Sequence, residues 1–131
     1  MRFAKVVFWI AGIWGVLVIT PLFFMLDTVG RQTPPPVTHI DFYFGFAIVT
    51  LMWQVAFFVI ALDPARYRAL MIPPALAKLG YAAMLAVLHI NALVSNGMML
   101  FAFTDVLLAI LFIAAFIATR PRNQRSGLPR E

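Results

Sequence analysis

Charged and polar residues along this chain fall into short clusters, and four long apolar runs lie between them. The first run, Val6 to Leu26, reads VVFWIAGIWGVLVITPLFFML and carries no charge. About 20 apolar residues cross roughly 30 Å of hydrocarbon, so this run predicts a spanning helix. Arg2 and Lys5 ahead of it imitate the start of a signal peptide. The run is too long for a usual signal core, however, and no small-x-small cleavage site follows it. A retained helix over 6–26 is therefore expected, bent near its far end by Pro21. Neighbouring groups must satisfy the carbonyl that the proline frees, and the Thr20 hydroxyl is the expected donor.

The second run predicts a span over 40–62. Its start, TPPPVTHIDFYFGF, places Thr38 as N-cap, with His39, Ile40 and Asp41 as the first three helical positions. An acid at the third position completes a variant of the capping box and is favoured by the helix dipole. At the other end, DPARYR supplies Asp63 as a cap and Pro64 as a first helical residue, which predicts a short interfacial helix over 64–70. Pro73 and Pro74 then open a third span over 75–94, and Ser95–Asn96–Gly97 makes a tight turn.

Helix length decides the fourth span. Only fourteen residues separate Asp105 from Arg120, about 21 Å of helix and too little to cross. The span must begin near Met98, run over 98–119 and carry Asp105 inside it. The predicted fold is an all-α integral membrane bundle of four helices over 1–119, followed by a basic tail over 120–131 expected to be disordered.

Composition agrees with lipid as the solvent. The chain has 131 residues, of which 63% are hydrophobic and only 11% charged. A chain this small cannot hide so much apolar surface in one aqueous core. The formal charge of +5 would fit nucleic acid, but its distribution argues otherwise. Arg2 and Lys5, then Arg66, Arg68 and Lys78, then Arg120, Arg122, Arg125 and Arg130 all fall on one predicted side, against Arg31 alone on the other. The positive-inside rule puts both termini in the cytoplasm. Without interleaved aromatics, the basic tail is expected to anchor topology and meet anionic lipid, not to bind nucleic acid. With no cysteine, thiolate metal sites, iron–sulfur clusters and thiol redox chemistry are excluded.

Ionisable groups inside a span are expensive, so each is a candidate for function with a partner to be named. His89 and Asp105 stand eight positions on either side of Gly97, which places them at matched depth on adjacent antiparallel helices. They are the expected pair, able to move a proton or hold a polar ligand; the plainer outcome is a hydrogen bond that fixes two helices in register. Asn91 adds an amide near the same end. His39 and Asp41 open the second helix on that side, first as a helix start and second as the rim of the same site. Gln54, deeper in the second span, is expected to make a helix–helix hydrogen bond. Gly12, Gly15 and Gly45 would permit close helix approach.

With HIDFYFG opening the second helix, DPARYRALM turning into the third and an acid entering the fourth, the chain resembles the DoxX-like group of small bacterial membrane proteins. The resemblance implies a four-helix bundle of the bacterial inner membrane, in some members an accessory subunit of respiratory or quinone-linked oxidoreductases. It assigns no catalytic residue. Two functions are carried forward. One is a binding or accessory module for a lipophilic ligand or a larger membrane complex, with homo-oligomers open to it. The other is a membrane enzyme doing isomerase-like acid/base chemistry on a lipophilic substrate, with His89 as acid or base and Asp105 or Asp41 stabilising the developing cation. Haem ligation by His39 and His89 is disfavoured, because His39 stands at the very edge of the span.

Overall fold

The computed structural model describes residues 1–121. These are 80% helical, with no strand among them. Helix α1 covers Arg2–Ile19, a short α2 covers Leu26–Gln32, α3 covers Ile40–Leu62, α4 covers Ile72–Ile90 and α5 covers Met98–Ala118. Counting the 3₁₀ turns that extend α1 and precede α4, four segments are long and apolar enough to cross a membrane: Arg2–Phe24, Ile40–Leu62, Arg68–Ile90 and Met98–Ala118. The basic tail predicted over 120–131 lies, beyond Arg120 and Pro121, outside the described residues.

Proline chemistry shapes the end of α1. Pro21 has no N–H to continue the ladder, and the chain tightens into a 3₁₀ helix over Thr20–Phe24. The exposed Leu22 carbonyl is met by the Tyr43 hydroxyl of α3, which donates to it at 2.8 Å. The Thr20 hydroxyl, expected to bond back to the carbonyl that Pro21 frees, makes no hydrogen bond among the described residues.

Helix α3 begins one residue later than its sequence implies. His39 is the N-cap and no side chain caps the helix, so Thr38 does not serve and Asp41 falls at the second helical position. Asp41 keeps a favourable place near the positive end of the dipole, without a capping bond. Past Leu62, Asp63 Oδ1 accepts from the Arg66 N–H at 3.2 Å. The segment expected as a helix over 64–70 is instead a turn followed by a 3₁₀ helix, Arg68–Met71. Pro73 and Pro74 occupy the first turn of α4, where their missing N–H groups cost nothing.

The end of α4 differs most from expectation, stopping at Ile90 instead of Val94. The N–H of Ala92 bonds to the His89 carbonyl at 2.9 Å, and that of Leu93 to the Leu88 carbonyl at 2.9 Å. Ala92 has φ of 57°, the left-handed region. This is a Schellman termination with alanine where glycine is usual. It ends α4 four residues early, so that the connection to α5 runs from Asn91 to Gly97 and the pairing of α4 with α5 differs from the expected one.

The four long helices form two pairs, α1 along α3 and α4 along α5, joined by a shorter contact between α1 and α5. That junction lies toward the end of the bundle that carries Met1 and Thr119. There Phe8 of α1 stacks on Phe112 of α5, with ring centroids 4.5 Å apart and planes 11° apart. Phe57 of α3 meets both edge-on, at 5.8 and 5.1 Å. Ala4, Ala11, Ala61 and Ala115 pack around these rings. Between helices in lipid such packing, rather than exclusion of water, supplies the attraction. Toward the far end a separate small cluster, Ala82, Leu85 and Ala102, belongs to α4 and α5 alone.

Candidate functional site

Lys78, one and a half turns into α4, places its Nζ 2.6 Å from Asp105 Oδ1 on α5. This is the one ion pair among the described residues, and it lies inside two of the four apolar segments. Lys78 stands thirteen positions before Asn91, and Asp105 thirteen after Ala92. Their contact shows these two to be level, where a turn centred on Gly97 would have matched His89 with Asp105. The Lys78 side chain remains 25% exposed and that of Asp105 12%. An ammonium has three donors and only one is used here. Tyr81, one turn beyond Lys78 and so its neighbour on the helix surface, is exposed.

The other predicted residues sit apart from this pair. His89 Nδ1 approaches the Val94 carbonyl at 3.4 Å, a contact inside the turn that closes α4. Asn91 donates to the Val87 carbonyl one turn back, at 2.8 Å. His39 is exposed and packs its ring edge-on against Phe42, with centroids 5.7 Å apart. Asp41 is exposed as well. No hydrogen bond joins His39, Asp41, His89, Asn91 or Asp105 to one another among the described residues. The expected His89–Asp105 pair is thus replaced by Lys78–Asp105. Among the described residues no three His, Cys, Asp or Glu side chains are grouped to hold a metal ion.

Lys78 is the functional candidate that sequence reasoning missed. The pattern of basic residues groups it with Arg66 and Arg68 as a topology marker, although the predicted span over 75–94 contains it. A cation three residues inside a predicted span was the available signal.

Two further polar contacts fix helices without forming a cavity. Gln54, 4% exposed on α3, donates from Nε2 to the Thr50 carbonyl at 2.8 Å. Its Oε1 has no conventional partner and points at Gly15 of α1. The Gly15 Cα–H is the donor such a geometry offers, a weak hydrogen bond common where helices approach closely. Near the other end, Arg68 Nε donates to the Phe116 carbonyl at 3.0 Å, and its guanidinium lies 3.5 Å from the Phe116 ring centroid. That cation sits on the last turn of α5, where the helix dipole favours it. A surface cleft of about 400 Å³ is a separate feature, between α2 and the following loop, lined by Asp27, Gly30, Arg31, Pro36 and Ile40.

Fold and site together define an all-helical protein with four potential membrane spans and an ion pair set between two of them. No protein-family model, curated protein or solved structure matches the chain.

Proposed function

We propose that this chain is a multi-pass protein of the bacterial inner membrane acting as a binding or accessory module, for a lipophilic ligand or a larger membrane complex. The observation that carries the reading is the Lys78–Asp105 pair, incompletely covered inside helices of membrane-spanning length. A charge retained at such depth is costly, and a bare helix pair gains little from it. Recognition of something polar from within the membrane accounts for its presence. The outward surface fits the same role: in each span only 28% of the most apolar stretch is buried within the protein. The remainder is free to meet lipid, ligand or partner helices.

Orientation follows from the basic residues. Arg2, Lys5, Arg66, Arg68 and Arg120 gather at the end of the bundle that carries Met1 and Thr119, and Arg31 alone lies in the segment between α1 and α3. By the positive-inside rule the termini are cytoplasmic. The DoxX-like resemblance of HIDFYFG and DPARYRALM points to the same class of accessory membrane protein.

The test is native purification from a bacterial membrane, followed by mass spectrometry of co-purifying small molecules and cross-linked proteins. The wild type should carry a lipophilic molecule or a partner that the folded K78M/D105L variant loses. A bare chain in both preparations would overturn the proposal.

A further inference from the structure

Lys78 lies near the middle of the Arg68–Ile90 segment, ten positions from one end and twelve from the other. At that depth there is no bulk water to satisfy an exposed N–H. One ammonium donor goes to Asp105 Oδ1, and the side chain remains 25% exposed. The Tyr81 hydroxyl makes no hydrogen bond among the described residues, and the residue is 39% exposed. Asp105 is the better covered partner, at 12% for its side chain. Unused donors, two on the ammonium and one on the Tyr81 hydroxyl, therefore outnumber the one unbonded acceptor, Asp105 Oδ2, among the described residues.

The charge of the pair sums to zero, which sets the ligand class. An anion would gain no net attraction and would still lose its hydration at this depth. A second cation would meet Lys78 first. A neutral acceptor suits both donors and needs no counter-charge. The surroundings are apolar: from Pro74 to Ala82 on α4 and Phe101 to Ala109 on α5, the only other polar side chain is Thr104. The Thr104 hydroxyl is already committed to the Leu100 carbonyl at 2.8 Å.

We infer that Lys78 and Tyr81, with Asp105 holding the ammonium in place, form an intramembrane site for the carbonyl oxygen of a neutral lipophilic molecule. This rests on the binding-module reading above and names its ligand chemistry. Lys78 and Tyr81 donate to the carbonyl, Asp105 orients Lys78, and the flanking apolar side chains take the ligand body. The carbonyl belongs either to a membrane lipid ester or to a free ketone or related compound.

Benzophenone is a suitable probe, being a neutral diaryl ketone that inserts into nearby C–H bonds on illumination. The full chain in lipid nanodiscs is labelled over a concentration series and the insertion sites are mapped by peptide mass spectrometry. The site predicts saturable labelling within 74–82 and 101–109. Fluorenone should compete for it and fluorene, the same shape without the carbonyl, should not. K78M/D105L, which removes both charges together, should lower the saturable labelling about tenfold, as expected for loss of a charge-assisted hydrogen bond. Tyr81→Phe leaves the ion pair intact and should weaken it several-fold. Tighter labelling in ether-linked than in ester-linked lipid supports a lipid carbonyl as natural occupant; equal labelling supports a free ligand. Competition by fluorene, or even labelling along all four spans, overturns the site. Carbonyl-specific labelling elsewhere, unchanged by K78M/D105L, overturns this site while leaving the module reading standing. Failure of the co-purification test removes that reading as well.

Discussion

The side-chain amide of Gln54 occupies the space that a side chain at Gly15 would need. α1 and α3 can lie close along this stretch because one helix offers no Cβ where the other buries its amide. Gly12 does the same for the Phe58 ring one turn earlier, whereas Gly45 has open space around it. Gly15→Ala should therefore force the amide out of place and cost about 1–3 kcal/mol, the usual range for overpacking. In a double-mutant cycle by thermal unfolding in detergent, Gln54→Ala should relieve most of that loss. Additive losses would mean that the two residues are not in contact.

Lys78 and Asp105 should be far more sensitive to single than to joint removal. Lys78→Met leaves a carboxylate without its partner, and Asp105→Leu leaves an ammonium. Each should destabilise by about 2–3 kcal/mol, less than a fully buried pair because Lys78 keeps partial exposure. K78M/D105L should be close to neutral, since apolar replacements of similar volume avoid the desolvation of both charges. His89→Ala, by contrast, should simply add its own loss to that of Asp105→Leu, as the two residues share no bond.

Ala92 holds a conformation that glycine adopts freely. Its φ of 57° places Cβ against the neighbouring carbonyl, at a cost of roughly 1 kcal/mol relative to glycine. Ala92→Gly should raise stability by up to about 1 kcal/mol once the added freedom of the unfolded chain is counted. The check is the midpoint of thermal unfolding. A fall would indicate that the left-handed turn does not end α4.

Tyr43→Phe should loosen the segment after Pro21. The hydroxyl is the one side-chain donor to the Leu22 carbonyl, and its loss removes a bond worth about 1 kcal/mol. Hydrogen exchange of the backbone over 22–33 should accelerate while that of α5 stays unchanged. Uniform acceleration across the chain would point to global destabilisation instead.

The absence of cysteine makes sidedness simple to measure. Ser95→Cys, in the loop between α4 and α5, should react with a membrane-impermeant maleimide added outside intact spheroplasts. Ala65→Cys, in the turn before α4, should react only after the membrane is opened. The reverse pattern would invert the orientation derived from the basic residues.

The number of long apolar helices, their approximate bounds and the presence of Asp105 inside one of them were all determined by the sequence. These follow from run length against the thickness of hydrocarbon, a one-dimensional property. The seating of helices at Gly12 and Gly15 was legible too, because only a missing Cβ permits so close an approach. The partner of Asp105 was not. It depended on where α4 stops, and that is set by a backbone turn at Ala92, a residue whose side chain gives no sign of a left-handed conformation. The path of the chain from Asn91 to Gly97 sets how far one helix slides along the other, and Lys78 rather than His89 meets Asp105. Likewise the donor to Leu22 came from Tyr43, twenty-one residues away. Local pattern encodes where helices form, whereas which side chains meet is decided by register between helices, and only the folded chain fixes that.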